Sequence, residues 1–393
     1  MRVLGGHRQL LYLGCAVVLV DTVLYAALTP LLPRFSHDLG LSKGLAGVLV
    51  AAYPFGALLG GVPGGLVTAR VGPRRAVLAG LTLFSATTVV FAFADSYAVL
   101  LTARVFEGIA SALSWAGALA WLMAEAPRER RGELVGTAMG AAVFGALLGP
   151  ALGSAAAIAG RALVFTLVGA IGAALIPLAY RLTDAGGEEM PHPRVVAAAF
   201  TNRRFQGGLA LMTLPALLFG VLAVLAPLHL SAAGWGAGTI GLVWIVGATL
   251  ETIQAPLVGR VSDRRGRALP VRIALVGGAL VSLGLVWGSR PAFYAPLVVA
   301  ASLAYGMLFT PGIALIADGA EDAGVPQGLG FGLMNAAWAV GATIGPAAGG
   351  GLAQATGDKV PLLLSAILCG IGLVALRAPI RHRARFTRAR ARA

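Results

Sequence analysis

Four ionisable residues interrupt the long apolar runs of this 393-residue chain: Asp21, Arg104, Glu107 and Glu251. A charge placed in hydrocarbon costs about 2.5–3.5 kcal/mol or more, so each of these groups needs a cavity or a partner. Asp21 has Tyr25 one helical turn on, on the same face. A carboxyl there either trades protons with a cavity or serves as a fixed hydrogen-bonding group for a neighbouring helix. Arg104 and Glu107 stand at i and i+3, where they neutralise each other, as a static pair or as one that opens during proton transfer. Ser111 and Trp115 continue their stripe and would line a cavity. Glu251 and Gln254 share a face of a later run, which suits a second proton site, a cation-recognising acid or a bond between helices.

Other chemistries lack their parts. No GxxxxGK[ST] loop is present, and the two lysines, Lys43 and Lys359, fall between apolar runs, so ATP is not expected to drive the protein directly. No HExxH occurs, and His7, His37, His192, His229 and His382 all sit at run ends or in polar segments, leaving an intramembrane hydrolase without a nucleophile and base or a metal pair. Cys15 and Cys369 lie inside apolar runs and give neither a disulfide framework nor a metal site. No enzyme activity, cofactor or metal is expected.

The composition says what holds these residues. Hydrophobic residues make up 58% of the chain and charged ones 12%, and the mean hydropathy is +0.84; soluble domains run near 45–50% and about 25%. At about 20 residues per crossing, the chain accommodates twelve helices and little else. Charged, proline and glycine-rich punctuation places them at 10–33, 44–67, 76–94, 98–124, 134–157, 162–180, 205–228, 238–259, 271–289, 293–317, 328–352 and 360–376. The first run is too long for a cleavable signal and carries Asp21 at its centre, so it is retained. The expected organisation is a six-helix bundle over 1–181, a cytoplasmic linker over 182–204, a second bundle over 205–376 and a basic tail over 377–393. With the N-terminus inside, 24 of the 30 basic residues are cytoplasmic and five lie outside, the asymmetry that a multi-pass plasma or inner membrane protein with both ends inside requires. The net charge of +14 then reports topology. The tail, ending RHRARFTRARARA, is read as resting on anionic lipid headgroups, and no nucleic acid partner is implied.

The two halves repeat. GLVTARVGPRR (65–75) and GRVSDRRGRA (259–268) align Gly65, Arg70 and Gly72 with Gly259, Arg264 and Gly266 at a shift of 194. GALLGPALGS (145–154) and GATIGPAAGG (341–350) align at 196. Paired six-helix bundles are the architecture of many secondary transporters, with the substrate site near the midplane between them. Over essentially its whole length the sequence resembles the major facilitator superfamily. GRVSDRRGRA matches that family's cytoplasmic-loop motif. GALLGPALGS, RVFEGIASA (104–112, with Glu107 where Gln is usual) and VDTVLYAALTPLLP (20–33) are similar to the fifth, fourth and first spans of its twelve-span drug:proton antiporters. The resemblance implies an all-α fold of two pseudo-symmetric bundles and proton-coupled export of small amphipathic compounds by alternating access, with a monomer as the working unit. Proton symport or facilitated passage of a metabolite such as a sugar is the rival, and a transporter-like sensor a more distant one.

Each motif has a physical reading. Gly145, Gly149 and Gly153 form one small-residue stripe, with Pro150 inviting a bend, and Gly341, Gly345, Gly349 and Pro346 repeat it. Such a stripe packs helices closely, and its further role would be the surface along which the halves rock. In the loops, Asp263 among Arg260, Arg264, Arg265 and Arg267 would pair locally and face a neighbouring helix N-terminus, a cytoplasmic latch that breaks on inward opening; the alternative is a purely topogenic role. The first half has Ala69 where the acid belongs and Pro73 for a basic residue, so the latch rests on Asp263. Shifted by 194, Asp21, Arg104, Glu107 and Glu251 map onto Pro215, Val298, Ala301 and Ala57, none ionisable. The latch reading expects Asp263→Asn to raise the inward-open population and Ala69→Asp to lower it, seen as spin-label distances across the cytoplasmic ends of spans 2 and 11. Unchanged distances in both variants leave the loops a topogenic role only.

Overall fold

The computed structural model describes residues 2–125, 131–183, 193–288, 290–325 and 327–376, and every regular element among them is a helix. The first column is broken into α1 (Arg2–Ala26) and α2 (Leu28–Asp38), and the tenth into α12 (Pro291–Gly306) and α13 (Phe309–Asp322). Pro30 and Pro311 explain both breaks, since neither can donate to the carbonyl four residues earlier. The other columns are α3 (Lys43–Val71), α4 (Pro73–Ala92), α5 (Tyr97–Glu125), α6 (Arg131–Ala159), α7 (Arg161–Arg181), α9 (Arg203–Ala232), α10 (Ala237–Arg265), α11 (Ala268–Trp287), α14 (Gln327–Thr356) and α15 (Lys359–Ala375). A short helix, α8 (Pro193–Ala199), occupies part of the interval read as a linker. Residues 184–192 of that interval and the basic tail 377–393 lie outside the described residues.

Ten of these columns are long and apolar enough to cross a membrane. Large apolar side chains face outward along them, with Ile158 83%, Trp287 70% and Leu280 64% exposed. In water such a surface would be a liability; against lipid it is the required solvent-facing side. The chain is a multi-pass membrane protein.

The repeat is structural as well as sequential. Helices α3 and α10 coincide in both start and end at a shift of 194. They stop on Gly72 (φ 90°, ψ 154°) and Gly266 (φ 82°, ψ 155°), a backbone geometry that side chains disfavour. One expectation is corrected here: Arg70, like Asp263 and Arg264, is not in a loop but in the last turns of these helices, which run past Gly65 and Gly259.

A second correction concerns the glycine stripes. Gly145, Gly149 and Gly153 do not face the other half. Gly145 and Gly149 pack on α1 within their own bundle, where a Cβ at Gly149 would stand 2.8 Å from the Val23 carbonyl oxygen and one at Gly145 2.7 Å from that of Leu19, and Gly153 packs on Ala27 and Pro30 at the break in that column. Gly341, Gly345 and Gly349 likewise pack on α9, against Ala216, Leu217 and Val221. A stripe at i, i+4 and i+8 offers one flat face, and here that face clasps a neighbour in the same half.

The halves meet on adjacent faces. Gly47 of α3 abuts Pro346 and Gly350 of α14, the Gly44 N–H donates to Gln354 Oε1 (3.1 Å), and Lys43 pairs with Asp358. On the other side, Ser154 of α6 donates to the Ala237 carbonyl of α10 (3.0 Å). All these contacts lie toward the face that the arginine distribution assigns to the outside. Toward the opposite face, Gly61 and Gly65 of α3, Gly136 and Gly140 of α6 and Gly332 of α14 have open space where a Cβ would stand. The bundles are therefore closed at one end and apart at the other.

Of the ion pairs between described residues, Lys43–Asp358 alone joins the halves; the rest stay within one half. An exposed pair contributes up to about 1 kcal/mol, so Asp358→Asn should raise the population open at that end by up to about fivefold. Distances between spin labels at the Lys43 and Asp358 ends of the bundles report this, and no change would show that the glycine seam alone sets the balance.

Candidate functional site

Close approach of α3 to α5 builds the site. A Cβ at Gly56 would overlap the Val105 carbonyl, and one at Gly108 would overlap the Tyr53 carbonyl. Small residues here let the two helices carry Tyr53 and the Arg104–Trp115 stripe against α1. Asp21, 5% exposed, receives two hydrogen bonds on Oδ2, from the Ser111 hydroxyl (2.8 Å) and the Trp115 indole N–H (2.7 Å). Its Oδ1 has no partner, and the Tyr53 hydroxyl borders both Asp21 and Ser111. Ser111 and Trp115 therefore do more than line a cavity: they hold the carboxylate.

Arg104 and Glu107 are 1% and 0% exposed and form the expected pair, with Nη1 donating to Oε2 at 2.9 Å. The guanidinium also reaches the carbonyls of Leu24 (3.5 Å) and Tyr25 (3.4 Å), the last turn of α1 before its break. It lies over the rings of Tyr53, at 4.9 Å, and Phe91, at 5.8 Å. One cation thus serves an acid, two helix-end carbonyls and two aromatic faces. Tyr25 shares the Asp21 face as expected but packs on Tyr53 (5.1 Å between ring centroids) and, across the seam, edge-on against Trp338 of α14 (5.3 Å, 73°).

Glu251 and Gln254 are not part of this cluster. Glu251 lies over Gly306, where α12 ends, and Gln254 Oε1 is buried without a partner. The latch is unmade. Asp263, Arg70 and Arg264 are exposed, Asp263 has no ion pair among the described residues, and Arg267 pairs instead with Asp318 of α13. Unmade contacts at this end agree with bundles that stand apart there. Sequence reasoning missed Tyr53, Phe91 and Trp338; a tyrosine beside Pro54, the one hydroxyl-bearing side chain between Leu45 and Val67, was the available signal for the first.

The model of the Major Facilitator Superfamily matches residues 14–330. The chain belongs to that superfamily. It is 29% identical over 375 residues to a chloramphenicol resistance protein of Streptomyces lividans, covering 88% of this chain and 90% of that one. A stretch of 127 residues is 27% identical to the quinolone resistance protein NorA of Staphylococcus aureus, covering 32% of this chain and 30% of that one. A solved structure of a bacterial homolog of the human lysosomal transporter Spinster, inward-facing and unoccupied, superposes with a TM-score of 0.77 at 14% identity, over 94% and 97% of the two chains. This facilitator is a transporter, and its fold is the twelve-helix, two-bundle one.

The internal repeat of the facilitator shows what stands opposite the acid. At a shift of 194, Tyr25, Ser111 and Trp115 correspond to Phe219, Tyr305 and Phe309, and these three rings also meet: Phe219 lies 5.6 Å from Tyr305, edge-on, and 6.2 Å from Phe309, stacked at 4°. Pro215 holds the place of Asp21. One half thus presents a carboxylate cluster and the other, from the same architectural positions, an aromatic one.

Removing one partner of a buried pair strands the other, at about 3–5 kcal/mol. Arg104→Ala should lower the stability of the purified protein by that order. Joint Arg104→Ala, Glu107→Ala should recover part of it and not all, because the Leu24 and Tyr25 carbonyls also lose a donor. Thermal unfolding in detergent measures both; a double variant no more stable than the single one would show that the pair is not what Arg104 chiefly supports.

Proposed function

We propose that the protein exports small amphipathic organic compounds in exchange for protons, with Asp21 as the proton-carrying group. The observation that carries this reading is the Asp21 carboxylate, buried near the middle of the first column, held on one oxygen by Ser111 and Trp115 and unpartnered on the other. A group so held is fixed in place yet keeps one oxygen for a proton. The aromatic cluster of Phe219, Tyr305 and Phe309 in the opposite half supports a substrate with an apolar, ring-bearing part, and the relative named for chloramphenicol resistance supports export of such compounds. Arg104 and Glu107 serve as the neutralised pair that holds the end of α1 near Asp21. Glu251, with Gln254, is a second carboxyl on the other half, available to substrate or proton.

In this reading the chain sits in the cell's inner membrane as a monomer with both ends cytoplasmic. The division is 1–181 and 205–376, joined by 182–204, with the tail 377–393 against anionic headgroups. Protons entering from outside displace substrate at the midplane and leave on the inside as the bundles rock. The glycine-lined seam at one end and the open contacts at the other correspond to the inward-open stage of that cycle, in which Asp263 is released.

Asp21→Asn keeps the shape of the side chain and removes its titration. In proteoliposomes with a preset pH gradient, scored first with chloramphenicol and then with a panel of amphipathic compounds, the variant should reduce gradient-driven flux to that of empty vesicles. Exchange of labelled for unlabelled substrate should survive. Wild-type gradient-driven flux in Asp21→Asn would remove the proton role from this residue.

A further inference from the structure

We propose that Trp338 is a positioning residue through which the second bundle controls proton access to Asp21 in the first. This rests on the reading of Asp21 as the proton carrier. Trp338 belongs to α14 and meets Tyr25 of α1 edge to face, at 5.3 Å and 73°, a contact between side chains of opposite halves. Tyr25 in turn leans on Tyr53 of α3 at 5.1 Å. Tyr53 carries the Arg104 guanidinium over its face at 4.9 Å, and its hydroxyl borders Asp21 and Ser111. A continuous chain of contacts therefore runs from the other half to the carboxylate: Trp338, Tyr25, Tyr53, Asp21.

Depth gives the chain its purpose. Tyr25 stands one turn beyond Asp21 toward the closed end of the molecule, and Pro346, which abuts Gly47 in the seam, is eight residues beyond Trp338 in the same direction, about 12 Å at 1.5 Å per residue. The Trp338–Tyr25 contact therefore lies between the carboxylate and the closed seam. While the seam is shut, Trp338 braces Tyr25 across the path from that side to Asp21. When the bundles rock and the seam parts, Trp338 leaves with its own half. Tyr25 then loses its brace and the path opens. Among the described residues, the groups that act on the carboxylate are Tyr53 from α3 and Arg104, Glu107, Ser111 and Trp115 from α5, all of the first bundle. Trp338 is thus the means by which movement of that bundle is felt at the proton site. Its position in the first half, at the shift of 196 found for this helix, is Ala142, which has no ring to offer, so the device exists on one side only.

The consequence is proton slip. With Trp338 shortened, Asp21 should exchange protons with both sides in the absence of substrate. The full chain is reconstituted into liposomes loaded with a pH-sensitive dye, the outside is acidified, and internal acidification is followed with no substrate present. Trp338→Ala should acidify the interior about tenfold faster than wild type, the scale of rate change that loss of one edge-to-face contact supports. Trp338→Phe, which keeps a ring edge, should stay near wild type, and Asp21→Asn in the Trp338→Ala background should abolish the excess. Tyr25→Leu, which breaks the same contact from the other side, should reproduce the slip and stands in if Trp338→Ala does not fold. A wild-type rate in Trp338→Ala or in Tyr25→Leu overturns the proposal, as does an excess rate that survives Asp21→Asn. Asp21→Asn alone separates the two readings: if it leaves gradient-driven transport intact, the carrier role fails. If it stops transport while Trp338→Ala holds protons as wild type does, only the role of Trp338 fails.

Discussion

A carboxylate in the middle of a bilayer has to collect its hydrogen bonds from protein, and the way Asp21 does so organises the first bundle. Both of its donors come from one helix, α5, at positions one turn apart. For α5 to present Ser111 and Trp115 there, it must lie close to α3, and Gly56 and Gly108 permit this by leaving no side chain between the two backbones. The same approach brings Tyr53 beside the acid. The cation that α5 also carries would be strongly destabilising alone. Glu107 neutralises it, and the carbonyls of Leu24 and Tyr25, at the end of α1, accept from its Nη1 and Nη2. The break in the first column, the glycine faces and the buried pair are thus three parts of one solution to a single solvation problem.

The second bundle has the same columns without that problem. Where the first has Arg104 and Glu107, the second has Val298 and Ala301, both fully buried and apolar. Where the first gathers a carboxylate with Ser111 and Trp115, the second gathers Phe219, Tyr305 and Phe309. Duplication supplied two equal frames, and the charged chemistry was concentrated in one of them. An arrangement of this kind sets a polar wall in one half opposite an aromatic one in the other, and the seam between them is where the two meet.

Much of this was legible in the sequence because hydrocarbon makes polar residues conspicuous. Asp21, Arg104 and Glu107 stand out in apolar runs, helical spacing put Ser111 and Trp115 on their stripe, and the structure brings all five together with Tyr25. The twelve columns followed from length and hydropathy, and the ends of α3 and α10 overshot the expected boundaries, the latter carrying Asp263 and Arg264 with it. What could not be read was which face of a helix meets which neighbour. Glycine spacing at 145, 149 and 153 announces close packing but does not name the partner, and the partner is α1 and not the opposite half. Trp338 was invisible for a related reason. An aromatic residue in an apolar helix carries no mark of the contact that matters until the two halves are placed together.

The closed seam is built to be broken. Its contacts are Gly47 against Pro346 and Gly350, the bonds from the Gly44 N–H to Gln354 and from Ser154 to the Ala237 carbonyl, one exposed ion pair, and buried apolar side chains of α2 and α9 that share one core, Leu28, Leu31 and Leu32 with Leu218, Val221 and Leu225. Glycine faces gain little from burying side chains, and an exposed pair is worth at most about 1 kcal/mol. By contrast the stripes within each bundle hold whole helices along several turns. Breaking a buried element such as Arg104 with Glu107 costs several times more than parting Lys43 from Asp358. Parting the halves breaks polar contacts weaker than the buried pair inside the first bundle, and in the proposed cycle each bundle keeps its interior. The Asp21 cluster moves intact with its own bundle, so its surroundings change chiefly on the side where the other bundle touches it.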